Sequence, residues 1–302
     1  MPSPVTAPSI RISAEPLTQA SFAQFGTVVE NPTRSHSPVS HHPQAVAANQ
    51  GTAVKYLDVT HVTNFYNLAP SKKPAEAVVN MFICSPRKLR SVEPATSKSA
   101  SQSNTDQADQ ADQAGKHLFD VNILERHPYT SQTFIPLGLS PQDKTTQYLV
   151  IVAPTLPTSK TPKDLNRLMA YPLREPRRRR SLLDVFAKAR PSPFTNEASP
   201  PIPDATQDPS QQNRKGPGLP DLNNIKAFVA TGNQAVTYGA GTWHAPMVVI
   251  GEGSVDFVVL QYANGVGQED CQEVELHATE GDGISVALQT PLAPSFQVRS
   301  KL

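Results

Sequence analysis

The segment around the single tryptophan is the first place in this sequence where chemistry is possible. Trp243 and His244 stand side by side, with three glycines close by. Residues of β-forming type lead into this segment over 225–236 and out of it over 247–250 and 255–262. A small β-barrel presents a reactive side chain at its mouth in this way. The imidazole could move protons near neutral pH, although a hydrogen-bonded structural histidine beside a core tryptophan would give the same pattern.

A second polar group begins at Glu125. His127 stands two residues after Glu125, so on a strand the carboxylate and the imidazole would share a face. Gln132 follows His127 by five residues, and Gly138 comes six residues later.

Lys55 is the third candidate. The sequence from Asn49 to Thr52 is Asn-Gln-Gly-Thr, which predicts a turn that opens a strand over 53–59. A lysine on such a strand could point into a barrel and hold an anion, or it could simply face solvent.

The elements that must position these residues are mostly strands. The apolar run 148–153 predicts a buried strand, a further strand is expected over 80–84, and residues 119–124 resume the fold. Thr18 is placed to cap one short helix that carries Phe22 on its apolar face. Short strands, Gly/Pro turns and little helix together predict an all-β barrel or sandwich in a single domain over 8–290. The part of the chain after Glu275 is expected to be weakly structured.

Two inserts interrupt this pattern and explain the composition. The chain of 302 residues has 30 prolines and is only 38% hydrophobic, which is unusual for one compact domain. Residues 91–116 are low in complexity, and residues 156–219 are rich in Pro, Ser, Arg and Gln, so both are predicted to be disordered. Four arginines at 177–180 could serve as a nuclear signal or bind nucleic acid. The net charge of +1 and the lack of interleaved aromatics argue against a nucleic-acid partner.

The termini and the cysteines indicate the cellular compartment. The sequence has no apolar run of the roughly 20 residues that would span a bilayer, and it begins without signal-peptide features. Two cysteines are compatible with a reducing compartment and make no metal motif. The chain ends in Ser300, Lys301 and Leu302, a peroxisomal address that the import receptor would read. We therefore expect a peroxisomal protein, with the cytoplasm as the alternative.

The two histidine segments resemble the metal-site motifs of cupins. The first cupin motif has two histidines with one residue between them, followed by a glutamate and a glycine. In this sequence Glu125 stands in place of the first histidine and Gln132 in place of the glutamate. The second motif matches at Gly241 and His244 but has Val248 where asparagine is usual. The resemblance implies a cupin-like double-stranded β-barrel in which these side chains converge.

A closer resemblance is to the ureidoglycolate lyase family. It covers nearly all of the core in order and skips both inserts, which are typical of a fungal elaboration. The motifs that carry it are Glu15-Pro-Leu-Thr18, Phe22-Ala-Gln-Phe-Gly26, Asn49-Gln-Gly51, Lys55-Tyr56, Glu125-Arg-His-Pro128, Thr130-Ser-Gln-Thr-Phe-Ile-Pro136, Pro220-Asp-Leu222, Lys226-Ala-Phe228, Gly232-Asn-Gln-Ala-Val-Thr-Tyr238, Trp243-His-Ala-Pro246 and Asp270-Cys271.

This family implies cleavage of (S)-ureidoglycolate to glyoxylate and urea, the last step of allantoin degradation in purine metabolism. Breaking the C–N bond needs a base for the hydroxyl proton and an acid for the departing urea nitrogen. His127 and His244 are the expected pair, with either as the base, and Lys55 is expected to hold the substrate carboxylate. The other residues expected to bind substrate are Asn49, Gly51, Tyr56, Gln132 and Gln261.

A second scheme uses a divalent metal ion, such as Ni, Zn, Mn or Fe. Its ligands would be Glu125, His127, Gln132 and His244. The ion would bind the hydroxyl and carboxylate oxygens of the substrate and lower the hydroxyl pKa. The two schemes exclude each other, because a ligated histidine is not a free base, and Tyr56 or Lys55 would then take the proton.

Other functions fit the same residues. A cupin hydrolase could release ammonia and carbon dioxide from the same ureide or act on allantoate. A non-catalytic cupin could bind a small carboxylic acid or a partner protein. The family resemblance also implies a homodimer.

Overall fold

The computed structural model describes residues 3–33, 43–91, 117–156, 218–278 and 281–288. Nearly all of both predicted inserts, the arginines at 177–180 and the C-terminal tripeptide lie outside these residues. Within them, the helices α1 (Gln19–Phe22) and α2 (Gly267–Asp270) have four residues each. Neither is long enough to cross a membrane.

Strands make up the rest of the regular structure of the described residues, apart from 3-10 turns at Asn49–Gly51, Tyr66–Leu68 and Leu222–Asn224. In chain order the strands are β1 (Ser3–Ala7), β2 (Ile10–Ser13), β3 (Glu15–Pro16), β4 (Gly26–Glu30), β5 (Ala45–Ala48), β6 (Ala53–Tyr56), β7 (Glu76–Cys84), β8 (Arg90–Ser91), β9 (His117–Asp120), β10 (Ile123–Arg126), β11 (Gln132–Leu137), β12 (Thr146–Ala153), β13 (Lys226–Ala230), β14 (Gln234–Tyr238), β15 (Trp243–His244), β16 (Val248–Gly251), β17 (Val255–Ala263), β18 (Gln272–Ala278) and β19 (Ile284–Leu288).

These strands form four sheets. The largest has the order β1-β18-β10-β15-β12-β13-β3, with β16 also paired to β12. A five-stranded sheet has the order β4-β14-β11-β17-β7, and a four-stranded sheet has the order β2-β19-β9-β8. Strands β5 and β6 form a separate hairpin. Most pairings are antiparallel, and the exceptions are β1 with β18, β3 with β13 and β2 with β19.

The largest sheet is the middle layer of the fold. Along β12, Tyr148 and Val150 belong to one apolar core, and Leu149 and Ile151 belong to the other. This alternation follows from the two-residue period of a strand, and burial of both faces explains why 148–153 is a continuous apolar run. The buried strand predicted there is confirmed.

The largest sheet and the five-stranded sheet enclose the core that contains Tyr148 and Val150, which also includes Phe134, Val236 and Phe257. Their hydrogen-bond ladders do not join into one closed cylinder. The predicted all-β, cupin-like double-stranded barrel with few short helices is confirmed. The candidate site lies at one end of this barrel core.

The N-terminal helix α1 forms as predicted and packs on the barrel core. The Thr18 side chain accepts a hydrogen bond from the backbone N–H of Ser21, and Phe22 is fully buried. Gly26 then passes so close to β14 that a Cβ atom there would lie 1.8 Å from the carbonyl oxygen of Thr237. Only glycine fits this contact.

Both inserts leave and re-enter the fold at paired positions. Ser91 at the end of β8 pairs with His117 at the start of β9. The backbone N–H of Leu156 donates to the carbonyl of Leu219 at 2.8 Å, next to the bridge between Thr155 and Pro220. The residues that flank each insert are therefore held together by the sheet, so removal of the insert need not separate any strands.

Two expectations about strand limits are wrong. The strand predicted over 53–59 ends at Tyr56, and Asp58 adopts a left-handed φ of 55° that interrupts an extended chain. The part of the chain after Glu275 was expected to be weakly structured, but β19 pairs with β9 and β2 and buries Ile284 and Val286. The segment is short, but its alternating apolar side chains complete the core that contains Leu149 and Ile151.

Candidate active site

Four of the predicted side chains meet at one end of the barrel. Glu125 on β10 is the direct register partner of His244 on β15, and His127 follows β10. Gln132 opens β11, where its amide lies 3.1 Å from His244 Nε2. The alternation of β10 and β11 turns these polar groups inward at the rim, where apolar core residues give way to the mouth.

His127 presents an unpartnered nitrogen to this site. Its Nδ1 lies 2.7 Å from the backbone carbonyl oxygen of Asp270. Because a carbonyl only accepts, Nδ1 carries the hydrogen and the neutral ring leaves a lone pair on Nε2. That Nε2 is buried without a hydrogen-bond partner. Burial, and then the charge of His244, lower the pKa of His127, so the ring is poised as a neutral base or a ligand.

His244 is held on three sides. Its Nδ1 lies 2.9 Å from the carbonyl of Thr242, and its ring stacks on Tyr238 with centroids 4.0 Å apart. Its Nε2 faces two oxygens, Gln132 Oε1 at 3.1 Å and Glu125 Oε1 at 3.4 Å. Gln132 is oriented by its own amide, which donates to Gln261 Oε1 at 2.7 Å. Since the two oxygens both carry lone pairs, a proton or a metal ion must lie between them and Nε2.

Glu125 supplies the negative charge of the site. Burial favours its neutral acid, but the His244 hydrogen bond and the charges of His244 and His127 outweigh burial and lower the pKa of Glu125. The Cys271 thiol lies 3.9 Å from the second carboxylate oxygen. Burial, followed by the Glu125 charge, raises the pKa of Cys271 to about 12, so this thiol stays protonated as a donor.

The donor set fits a divalent metal ion. Ligand atoms of Glu125, His127 and His244 all lie within 4.8 Å of one another. The unpartnered Nε2 of His127 and the lone-pair contacts of His244 are what such an ion would satisfy. Gln132 Oε1 is close enough to be a fourth, weaker ligand. A second group, Glu125 with Cys271 and Glu273, is also within this distance, but a thiol with a raised pKa is a poor ligand.

Residues from a distant loop position His127, and sequence reasoning did not assign them to the site. The Asp270 carboxylate accepts from the Tyr66 hydroxyl at 2.7 Å and from the backbone N–H groups of Asn264 and Gly265, each at 2.8 Å. These bonds fix the loop whose carbonyl holds His127. The available signal was the Asp270-Cys271 pair within the family motifs, which carries no role by itself.

The β5–β6 hairpin places the remaining predicted residues elsewhere. Asn49, Gly51 and Lys55 are exposed, and Tyr56 is half-buried. No hydrogen bond or ion pair between described residues joins any of them to His127 or His244. Gln261 does reach the site, through Gln132.

The indole of Trp243 packs in the barrel wall. The ring is buried, and its Nε1–H donates to the carbonyl of Gly218 at 3.2 Å. The guanidinium of Arg126 lies 4.5 Å over the ring and donates to the same carbonyl. Asp256 on β17 is exposed.

The fold and the site together define a cupin-like protein with two facing imidazoles and a carboxylate at the barrel mouth. The rings of His127 and His244 have centroids 5.6 Å apart. Such a site can transfer protons to and from one small ligand, or hold a metal ion against it.

Comparison with known proteins identifies the group. A family model described as ureidoglycolate lyase matches residues 9–280. The ureidoglycolate lyase of Schizosaccharomyces pombe is 30% identical over 262 residues, 87% of this chain and 90% of that protein. That of Saccharomyces cerevisiae is 30% identical over 277 residues, 90% of this chain and 97% of that protein. The Burkholderia mallei protein of this name is 24% identical over 249 residues, 82% of this chain and 81% of that one. The chain belongs to the ureidoglycolate lyase family.

Proposed function

We propose that this protein is a lyase that splits (S)-ureidoglycolate into glyoxylate and urea, in the degradation of allantoin. The observation that carries the proposal is the pair of inward-facing imidazoles beside Glu125, in a chain whose relatives are named for this reaction. The reaction needs one base and one acid near a single carbon, and this site offers both within 4.8 Å.

The geometry assigns the two histidines different roles. His127 has a bare Nε2 and a lowered pKa, so it takes the proton of the substrate hydroxyl. The electron pair of that O–H bond forms the aldehyde carbonyl of glyoxylate as the C–N bond breaks. His244 holds a proton on Nε2 against Glu125 and Gln132 and gives it to the departing nitrogen, which leaves as urea. The two proton transfers balance, and no water is consumed.

The alternative arrangement places a divalent ion, such as Ni, Zn or Mn, on Glu125, His127, Gln132 and His244. When bound, the ion would polarise the hydroxyl and carboxylate oxygens of the substrate. The chain's task would then be to orient these ligands: the Asp270 carbonyl fixes His127, and the Thr242 carbonyl fixes His244. The proton acceptor would have to be another group, for which Lys55 and Tyr56 are the candidates.

We also propose import into peroxisomes through Ser300, Lys301 and Leu302, where purine breakdown begins with urate oxidation. A homodimer is the proposed assembly. No observation favours the hydrolase or the non-catalytic cupin over the lyase.

The test measures urea and glyoxylate from (S)-ureidoglycolate, using protein dialysed against a chelator and then resupplied with single divalent metals. Equal release of both products without metal supports the lyase and the two-histidine scheme. Release only after a metal returns supports the lyase with its histidines as ligands. Ammonia in place of urea, or no product under either condition, contradicts the lyase.

A further inference from the structure

The β5–β6 hairpin has no packing partner among the described strands. The two strands pair only with each other, and every second residue of β5 is exposed. Val54 on β6 is 61% exposed, and nothing lies within 4 Å of a Cβ atom placed on Gly51. A two-stranded hairpin that packs on nothing is marginally stable in water at best. A further surface beyond the described strands would therefore stabilise this hairpin.

The hairpin departs from the outer face of the five-stranded sheet. Thr60, four residues after β6, donates through its hydroxyl to that of Thr237 at 2.9 Å, and Thr237 contacts Thr133 at the same distance. Phe134 and Val236, the neighbours of these two threonines, lie in the barrel core. Since side chains alternate along a strand, Thr133 and Thr237 point outward. Gln132, by contrast, points inward to His244.

The same outer face is apolar further along the sheet. Strand β7 lies at the edge of this sheet and pairs with β17, which in turn pairs with β11. These two registers align apolar side chains of the three strands in rows across the outer face. The exposed members, 38–73% accessible, are Val79, Met81, Ile83, Ile135 and Leu137. An exposed apolar face of this kind beside an unpaired strand edge marks a protein contact. Within these rows only Asp256 is charged, so the face suits an uncharged partner surface, such as the same face of a second copy of the chain.

Among the described residues, no cation contacts the active site that would bind a carboxylate substrate. The described groups that contact His127 and His244 are Glu125, Gln132, Tyr238 and the carbonyls of Thr242 and Asp270. None is positively charged. Arg126, the nearest arginine in sequence, directs its guanidinium to Gln272 and Gly218. Lys55 is exposed on the hairpin and makes no hydrogen bond to a described residue.

We propose that two copies pair across this outer face and that the hairpin of each copy carries Lys55 to the His127–His244 site of the other. The substrate part of this inference rests on the proposed function. A two-fold contact is self-complementary, so one hairpin exchange creates two equivalent sites. A stable interface takes roughly 20–30 residues a side, more than the apolar face offers alone, and the hairpin enlarges it. In each completed site, Lys55 and the backbone N–H groups of its turn would bind the substrate carboxylate.

The test is complementation between two inactive variants. Lys55→Ala and His127→Ala chains are unfolded together, mixed one to one and refolded. If the site is shared, each mixed dimer has one intact site, and random pairing restores about one quarter of wild-type urea release. If Lys55 serves its own chain, no mixed dimer has an intact site. A mixture of His127→Ala with His244→Ala is the matched control and should recover nothing.

A second measurement does not depend on the reaction. Sedimentation of the wild-type chain should give twice the chain mass, and Met81→Asp should give the single mass with an unchanged circular dichroism spectrum. Leu219→Asp, at an exposed position outside the five-stranded sheet, should keep the double mass. A monomeric wild type, full activity of Lys55→Ala, or failure of the variants to complement would overturn the shared site. A dimer without any urea release would instead contradict the proposed function.

Discussion

Removing the hydroxyl of Tyr66 tests how the loop at Asp270 supports catalysis. Tyr66 is buried, and its hydroxyl donates to the Asp270 carboxylate at 2.7 Å. A hydrogen bond to a charged group contributes about 1.5–3 kcal/mol. Asp270 retains two backbone donors in Tyr66→Phe, so we expect the lower end, about 1.5 kcal/mol. For a fold of this size, that loss lowers Tm by about 3–6 °C.

The expected catalytic effect is larger than this stability loss alone would cause. The Asp270 carbonyl holds His127 Nδ1, so a looser loop misplaces the proposed base. If the whole of the lost 1.5 kcal/mol is added to the activation free energy because His127 is misplaced, kcat falls about tenfold. The bond to the Asp270 carbonyl also raises the pKa of His127 against the lowering effect of burial. Weakening it lowers this pKa further, and because the base acts when neutral, the acidic limb of kcat/KM moves to lower pH.

The assay compares Tyr66→Phe with Tyr148→Phe by thermal unfolding and by urea release from pH 5 to 9. Tyr148 is also fully buried, and its hydroxyl donates to the backbone carbonyl of Gln234, away from His127. Both variants should lose similar stability, while only Tyr66→Phe should lose activity and shift its pH profile. Equal kcat for both variants, or an unmoved acidic limb in Tyr66→Phe, would refute the positioning argument.

Three further predictions follow from the described contacts. Glu125→Gln removes the carboxylate that faces His244 Nε2 and, with it, the charge that raises the pKa of His127. The pKa of His127 therefore falls, so kcat/KM should fall about 100-fold with its acidic limb at lower pH; a wild-type pH–rate profile would contradict this. Replacing residues 157–217 by a short Gly/Ser linker should leave urea release within about twofold, because Leu156 and Leu219 are hydrogen-bonded neighbours; an insoluble or inactive product would show that the insert supports the core. Thr18→Ala should lower the free energy of unfolding, measured by denaturant titration, by about 1 kcal/mol, whereas Thr18→Ser should leave it unchanged. A wild-type free energy of unfolding in Thr18→Ala would show that the cap contributes nothing.

Local pattern was enough to predict the central strand β12 and the helix α1. The apolar run that became β12, the Thr18 cap and the two-residue spacing of Glu125 and His127 each follow from a periodicity of the chain itself. The meeting of His127 with His244, more than 100 residues away, came from the family resemblance instead. Periodicity tells which face a side chain occupies but not which strand it will meet.

The contacts that sequence could not predict join distant loops. Tyr66 and Asp270 are 204 residues apart, and the pattern around either gives no reason to pair them. The short β19 was missed because its few alternating apolar residues follow polar, glycine-rich sequence, so only its pairing with β9 and β2 makes it a strand. For Lys55, the strand was predicted but not the separation of its hairpin from the barrel interior.

The central claim is that His127 and His244 cleave the C–N bond of ureidoglycolate. The most direct measurement is single-turnover release of urea and glyoxylate by the wild-type chain and by His127→Ala, with folding of both checked by circular dichroism. The account predicts equal amounts of the two products from the wild type and a fall of at least about 1,000-fold in the variant. Urea release by His127→Ala at a rate near that of the wild type would contradict it.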